Sequence, residues 1–290
     1  MLPFVFSSAP FADRRHRPRG RLDSARLTGV PLILAIRPGE RETLAAFVNA
    51  ALEVEGGICA RNVANGRELL LFVEDKLRDA RTGGVSVRGV AVALPDSARW
   101  RGVRGEVSGF DLPCTVERSA AATWAGERLR DPAARVSDAV LLDADDLQLA
   151  LHLNGRPYVG AHGLAGDIAH LGLDRTGGIR CACGRNGCLG ALLEAGAQAP
   201  PPPAALGVGV APSRSLGWLA VAGVALLNLL NPALLIVQGI AFDPVAFDWF
   251  AEAVREGCLR PTRAGLLAIS RARSDSALVG AAACFAALHR

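Results

Sequence analysis

The segment from Gly160 to Leu189 constrains this chain more than any other, because it holds a compact set of metal-binding side chains. Cys181, Cys183 and Cys188 fall within eight residues, and His170 lies eleven positions before the first of them. Three thiols and one imidazole are the complete ligand set of one class of tetrahedral zinc site. With four protein ligands no coordination position stays open, so we interpret the segment as a structural zinc knuckle. The alternative is a group of buried or redox-active cysteines that binds no metal.

Glycines and arginines within the segment support the zinc interpretation. Gly184 and Gly187 allow the tight turns at positive φ that bring neighbouring thiols to one ion. Three thiolates and Zn2+ leave about one negative charge. Arg180 and Arg185 flank the cysteines and could balance it.

The same stretch resembles the signature of the ROK family of repressors and sugar kinases. GDIAH at residues 166–170 and CACGRNGCL at residues 181–189 resemble the GEIGH and CxCGxxGCxE patterns of that family. The resemblance extends from about residue 30 to the C-terminus. It implies a two-lobed α/β fold of the actin/hexokinase type, in which a ribonuclease-H-like unit is duplicated and the C-terminal lobe carries a zinc-binding loop.

The resemblance also implies roles for individual residues. The zinc ligands would be His170, Cys181, Cys183 and Cys188, and a sugar would contact Asp167 and His170. The glutamate that follows the last cysteine in the family is Gly190 here, so one sugar contact is missing.

Composition sets the broad class of protein. Half of the 290 residues are hydrophobic and 21% are charged, which suffices for one large domain or two lobes. The net charge of +4 does not argue for a nucleic-acid partner. Cysteines arranged as a metal knuckle, without a secretory signal, predict a cytoplasmic protein.

Residues 1–29 are rich in arginine, proline and serine, and we interpret them as a disordered basic tail. The tail lacks the aromatic residues and helical period of a nucleic-acid-binding segment. It is also too short for the winged helix-turn-helix that precedes the lobes in ROK repressors.

The apolar segment from residue 216 to 242 contains no charged residue and is long enough to cross a bilayer. However, Asn228 and Asn231-Pro232 interrupt it. We therefore predict a buried helix over 216–230 and a buried strand over 233–239, and no membrane span.

The remaining pattern predicts an N-terminal lobe over residues 30–135 and a C-terminal lobe over 136–290. A closing helix over 276–288 could pack on the N-terminal lobe. The first lobe is expected to contain strands over 31–37, 43–54, 57–63 and 87–94, of which the last is apolar after Arg88 and should be covered on both faces. It should also contain helices over 68–81, with Asn65 as the N-cap, and over 120–129. The second lobe opens with a strand at 139–142 and a hairpin through His152 and Leu153.

A kinase of this fold needs phosphate-binding turns, an acidic residue for Mg2+ and a general base. The first phosphate turn of ROK kinases, D-x-G-G-T, corresponds here to residues 35–39. Ala35 replaces the carboxylate and Pro38 removes an amide donor. Arg37 and Arg41 could attract an anion, but without a backbone cradle.

The second phosphate turn, G-T-G-x-G-x-G in the family, corresponds to residues 143–150, which contain no glycine. Its three carboxylates, Asp143, Asp145 and Asp146, would repel polyphosphate. We expect a solvated acidic hairpin. A metal bound by these carboxylates is the alternative.

The catalytic base of the family lies in an E-N-D-A-N motif, which corresponds to residues 117–121. Ser119 stands at the position of the base and cannot remove a proton unaided near neutral pH. Arg118 replaces the sugar-binding asparagine, which suggests an anionic ligand. Glu117 is either a displaced base or a charged residue at a helix start. Pro95-Asp96 and Gln238-Gly239-Ile240 replace two further glycine motifs of the kinases.

The sequence therefore predicts a zinc-stabilised pseudokinase that binds a small sugar-like or anionic molecule through Glu117, Arg118, Asp167 and His170. We assign no catalytic residue and expect no ATP or Mg2+ cofactor. The resemblance implies a homodimer. The alternatives are a functional hexose or N-acetylhexosamine kinase with an atypical phosphate site, an enzyme repurposed in the old sugar cleft, and a transcriptional regulator that acts through a partner or the basic tail.

Overall fold

A computed structural model describes residues 30–39, 42–95, 100, 102–175, 178–199, 211–239 and 243–289. The predicted basic tail lies outside these residues, as do Arg41, Asp96 and Ile240. All structural statements below concern the described residues.

Two five-stranded mixed sheets form the frame of the molecule. In the first sheet the order is β3-β2-β1-β4-β5, and in the second it is β10-β9-β6-β7-β8. The strands are β1 Leu32–Arg37, β2 Thr43–Val48, β3 Val54–Arg61, β4 Val87–Leu94, β5 Cys114–Arg118, β6 Ala139–Asp143, β7 Gln148–Leu153, β8 Arg156–Tyr158, β9 Leu234–Gln238 and β10 Ala268–Arg271.

The two sheets have the same topology. In each sheet the first strand pairs antiparallel with the second and parallel with the fourth, and the fourth pairs parallel with the fifth. This repetition confirms the predicted fold class, a duplicated ribonuclease-H-like unit. The division into lobes near residue 136 stays a prediction.

Eight α-helices accompany the strands among the described residues. They are α1 Gly66–Thr82, α2 Val103–Glu106, α3 Ser119–Arg130, α4 Leu189–Ala195, α5 Arg214–Leu230, α6 Pro244–Gly257, α7 Arg260–Gly265 and α8 Ser276–Leu288. As predicted, Asn65 caps α1, because its side-chain oxygen accepts a hydrogen bond from the Glu68 amide at 3.0 Å.

The apolar segment that begins at residue 216 folds as predicted into a helix and a strand. The helix α5 ends at Asn231, which adopts a left-handed conformation before Pro232, and β9 follows with four buried residues. No helix in the described part of the chain is long and apolar enough to cross a membrane.

One predicted strand is too long. The strand expected over 43–54 ends at Val48, and a turn separates it from β3. The side-chain oxygen of Asn49 accepts hydrogen bonds from the amides of Ala51 and Glu53, at 2.9 and 3.0 Å. Asparagine stabilises turns in this way, and here that interaction stops the strand.

The strand β4 contributes to the core on both of its faces. Val90 and Val92 belong to a cluster with α1, whereas Ala91 and Ala93 belong to a cluster with α8. The last helix of the chain therefore packs on the first sheet. On the second sheet, β6 contacts α3 through a cluster that includes Leu141 and Trp124.

The helices α3 and α8 pack against each other at very short range, and glycines permit this. A Cβ atom on Gly280 would lie 1.7 Å from the carbonyl oxygen of Ala122, and one on Gly126 would lie 2.0 Å from that of Ser276. The buried carboxylate of Glu127 accepts hydrogen bonds from the Ser276 hydroxyl at 2.5 Å and from the Arg273 amide at 2.7 Å. It thus accepts from the first side chain of α8 and from the backbone just before this helix.

We predict that Gly280→Ala lowers the free energy of unfolding by about 3 kcal/mol, because the added methyl group forces the backbones of α3 and α8 apart. Urea denaturation followed by circular dichroism measures this change. The control is Gly105→Ala, where a Cβ meets no atom within 4 Å. Equal stability of the two variants would contradict the close helix packing.

Candidate metal centre and inter-sheet polar cluster

The loop between β8 and α4 folds back on itself and brings the predicted zinc ligands together. Gly172 pairs with Cys188, and Arg180 pairs with Asn186, as isolated β-bridges. The Cys181 amide donates to the Arg185 carbonyl at 2.8 Å, which closes the knuckle.

Both glycines of the knuckle adopt the predicted positive φ, +86° at Gly184 and +67° at Gly187. At Gly187 there is a second constraint, because a Cβ there would lie 1.5 Å from the carbonyl oxygen of Asp174. Only glycine allows the two arms of the loop to approach this closely.

The ligand atoms of His170, Cys181, Cys183 and Cys188 all lie within 4.8 Å of one another. The Cys181 Sγ is 3.4 Å from the His170 Nδ1, and the Cys183 and Cys188 Sγ atoms are 3.6 Å apart. Bonds of about 2.3 Å to sulfur and about 2.0 Å to nitrogen place the corners of a zinc tetrahedron about 3.5–3.8 Å apart. The four residues therefore fit a tetrahedral zinc ion.

The thiols of the cluster differ in pKa, and so in how readily each becomes the thiolate that binds a cation. The pKa of the Cys183 thiol is lowered to about 6, chiefly by a hydrogen bond from the Arg185 backbone amide. Cys183 is therefore a thiolate at neutral pH. Burial, followed by the neighbouring cysteines, raises the pKa of the Cys188 thiol to about 11. Zinc would have to displace the Cys188 proton, as it does in thiolate sites generally. His170 and Cys183 are exposed, Cys181 is 9% exposed and Cys188 is buried.

A second group of polar side chains lies between the two sheets. Asp143 is the last residue of β6, and in register beside it lie Gln148 of β7 and Gln238 of β9. Residues paired in this way share a face of the sheet. This row lies at the carboxyl ends of the parallel strands β6 and β9, the usual position of ligand sites in such sheets.

Arg37, at the end of β1 in the first sheet, reaches this row. Its Nη2 lies 3.4 Å from Asp145 Oδ2 and 3.9 Å from Asp143 Oδ2. Its Nε donates to the Ser119 hydroxyl at 3.3 Å. Ser119 in turn donates to Asp143 Oδ2 at 3.0 Å, and the same carboxylate oxygen accepts from the Gln238 amide.

The prediction of a solvated acidic hairpin at residues 143–146 is wrong. Asp143 is fully buried, and Asp145 and Asp146 are half-buried. Burial raises the pKa of Asp143, and the nearby Arg37 guanidinium opposes that rise. The fold can bury this carboxylate because Arg37, Ser119 and Gln238 supply a cation and donors to it.

The predicted ligand-binding residues are only partly brought together. The Arg118 guanidinium donates to the Ala165 carbonyl at 3.1 Å, so it contacts the loop that carries Asp167 and His170. Asp167 is exposed, and one of its oxygens accepts from the Ala169 amide at 3.0 Å. Glu117 lies elsewhere, near Cys284 of α8. Burial, and to a smaller extent the negative charge of Glu117, raise the pKa of the Cys284 thiol to about 11.

Sequence reasoning missed Gln148 and the partnership of Arg37 with Asp143. The Gln148 side chain is buried, and its Oε1 has no hydrogen-bond partner within the described ranges. The sequence did contain a signal for a polar site here, because the apolar strand Ala139–Leu142 is followed directly by the carboxylate of Asp143. An acid that directly follows a fully buried strand lies at the edge where ligands bind.

The repeated sheet topology defines the class as the two-lobed actin/hexokinase-like fold, and its loop carries a cluster of one histidine and three cysteines that fits a zinc ion. The model of the ROK family matches residues 107–197, just under a third of the chain. This match confirms the resemblance predicted from the sequence.

Solved structures with this fold include enzymes and a regulator of the ROK family. A ROK family transcriptional regulator homologous to the E. coli Mlc protein is 20% identical, with a TM-score of 0.65 over 89% of this chain and 78% of the other. A ROK glucokinase from Streptomyces griseus, solved with glucose and AMPPNP, is 18% identical, with a TM-score of 0.61 over 87% and 98%. The ROK hexokinase from Thermus thermophilus is 21% identical, with a TM-score of 0.58 over 87% and 97%.

For the metal centre, we predict that the purified protein contains about one zinc ion per chain and that Cys188→Ser removes it. Zinc at 100 times its dissociation constant stabilises a protein by about 2.7 kcal/mol, so chelation should lower the melting temperature of the wild type and leave Cys188→Ser unchanged. Metal analysis and calorimetry measure both effects. Cys59→Ser, which alters a half-buried cysteine outside the cluster, is the control. Equal zinc in both variants would refute the ligand set.

For the polar cluster, we predict that Arg37→Met lowers the free energy of unfolding at pH 7 by about 3 kcal/mol, because it leaves the buried Asp143 carboxylate without its cation. Arg37→Lys should restore part of this loss.

The loss should also depend on pH. Burial already places the folded-state pKa of Asp143 above its unfolded value, and removal of Arg37 raises it further. The penalty is therefore largest at the highest pH and shrinks as pH falls through the raised pKa of Asp143, because the protonated carboxyl needs no cation. The control, Arg78→Met, breaks an exposed 3.9 Å pair with Asp75 and should cost less than about 0.5 kcal/mol at any pH. A pH-independent loss would contradict the proposed pairing.

Proposed function

We propose that this protein is a zinc-stabilised, ROK-like pseudokinase that binds a small sugar-like or anionic molecule and does not transfer phosphate from ATP. The observation that carries the proposal is the position of Arg37. Its guanidinium occupies the space between β1 and the β6–β7 turn and is paired with Asp145 and Asp143.

By the ROK resemblance, both turns that handle the phosphates in a kinase meet at this position. Here one turn supplies an arginine and the other supplies carboxylates that neutralise it. A nucleotide phosphate would have to displace the guanidinium and would then face the buried charge of Asp143 at short range. Both consequences oppose binding of a polyphosphate.

The geometry around Ser119 also argues against proton transfer by this residue. Its hydroxyl donates to Asp143 and accepts from Arg37, so its proton is engaged with a carboxylate. Next to a guanidinium, the oxygen is a poor acceptor for a substrate proton. Ser119 therefore serves to link Arg37 with Asp143.

A ligand cleft would still lie beside the knuckle loop. Arg118 is anchored to the Ala165 carbonyl, and Asp167, which is exposed, lies two residues further along the same loop. Asp167, His170 and Arg118 are hydrogen-bonding groups suited to hydroxyl groups or to a carboxylate. Glu117 faces α8 and is the weakest member of the predicted set. The homodimer and the cytoplasmic location also remain predictions.

One observation favours the alternative of an atypical kinase. The Asp143 carboxylate lies 3.0 Å from the Ser119 hydroxyl, which stands at the position of the family's base. If Arg37 moved away on substrate binding, Asp143, whose pKa is raised, could accept a proton from a sugar hydroxyl.

A direct experiment separates the two proposals. Purified protein is incubated with ATP and Mg2+ in the presence of glucose, N-acetylglucosamine or N-acetylmannosamine, with the Streptomyces griseus glucokinase as the active control. We expect no sugar phosphate above background, and no rise in melting temperature at millimolar ATP, because a bound ligand would stabilise the fold.

The variant Asp143→Asn completes this experiment. Phosphorylation of any of the three sugars that is lost in Asp143→Asn would overturn the pseudokinase proposal in favour of the atypical kinase. Sugar binding is measured separately by calorimetry in the wild type and in Asp167→Ala, since a pseudokinase retains binding without transfer.

A further inference from the structure

A pocket of about 340 Å3 opens beside the metal centre. Three arginines, Arg175, Arg180 and Arg185, line it together with Asn186 and two of the metal-binding residues. Its volume is in the range of pockets that hold small molecules.

The loop holds the arginines in a defined arrangement. Arg180 and Asn186 form a β-bridge, and the backbone carbonyl of Arg185 accepts a hydrogen bond from the Cys181 amide. Arg175 belongs to the opposite arm, and its Nε lies 3.6 Å from the position of a Cβ on Gly172. This guanidinium therefore lies close to the backbone of residue 172 at the pocket wall.

The positive charge of the pocket exceeds what the metal centre requires. Three thiolates with Zn2+ carry about one negative charge, whereas three guanidinium groups carry three positive charges. All three arginines are exposed, and none forms a salt bridge with another described residue. Two positive charges therefore remain unbalanced at one small concave surface.

We propose that this pocket binds the phosphate group of a small phosphorylated molecule. Guanidinium groups recognise phosphate oxygens through paired hydrogen bonds, and several arginines around one pocket form the usual recognition arrangement. The four protein ligands leave zinc no open position, so the phosphate would bind to the arginines and not to the metal. This site is separate from the inter-sheet cluster, and it does not depend on the loss of kinase activity.

The test uses the full-length, zinc-loaded protein with inorganic phosphate as the probe. Calorimetry measures the dissociation constant at fixed ionic strength, with chloride replacing phosphate in the reference titration. We expect saturable binding that weakens by about tenfold for each arginine replaced by alanine, and that weakens as salt is added.

The matched control removes the same charge elsewhere. The variant Arg175→Ala/Arg180→Ala/Arg185→Ala is compared with Arg67→Ala/Arg81→Ala/Arg271→Ala, whose arginines are exposed and distant from the knuckle in sequence. Zinc content is measured in both. We expect loss of phosphate binding in the first triple variant only, with zinc retained in both.

Three outcomes would overturn the proposal. The first is the absence of phosphate binding above the chloride reference. The second is equal phosphate affinity in the two triple variants, which would mean that only net charge matters. The third is loss of zinc together with phosphate binding in the pocket variant, which would assign the arginines solely to neutralising the thiolates.

Discussion

The ion pairing between Arg37 and the carboxylates of Asp143 and Asp145 is the polar interaction that joins the two sheets and on which the burial of Asp143 depends. It joins the end of β1 to the β6–β7 turn, across more than 100 residues of sequence. A buried carboxylate is costly unless a cation and donors surround it. The first sheet supplies that cation, and Ser119 and Gln238 supply the donors, so the burial of Asp143 requires both halves of the molecule.

The knuckle loop and the polar cluster around Asp143 are connected where β5 meets α3. The β-bridges and glycine turns of the knuckle fix the loop that carries Asp167 and His170. Arg118, directly before Ser119, binds the Ala165 carbonyl at the start of that loop. The loop that carries the histidine–cysteine cluster and the arginine-bridged polar cluster are therefore linked through the adjacent residues Arg118 and Ser119.

Much of the fold could be predicted because its signals are local. The cap at Asn65, the interruption at Asn231-Pro232 and the continuous apolar run of β4 each act within one element. The cluster of three cysteines and a histidine was predictable because its spacing is specific to one chemistry. The burial of Asp143 was not, because three nearby carboxylates indicate a solvated turn unless the partner is known, and Arg37 lies far away in sequence. The end of β2 was missed for a smaller reason, the side-chain hydrogen bonds of Asn49.

The helix α8 covers one face of the first sheet, although almost the whole chain separates it from β1 in sequence. Ile33, Ala91 and Phe285 belong to the same buried cluster. During synthesis on a ribosome, that face stays uncovered until residues 276–288 have emerged from the exit tunnel. The N-terminal half therefore cannot complete this part of its core before the end of the chain has been made, although its core on the other face contains only residues 32–116. A chaperone that shields this sheet face before α8 arrives would favour productive folding.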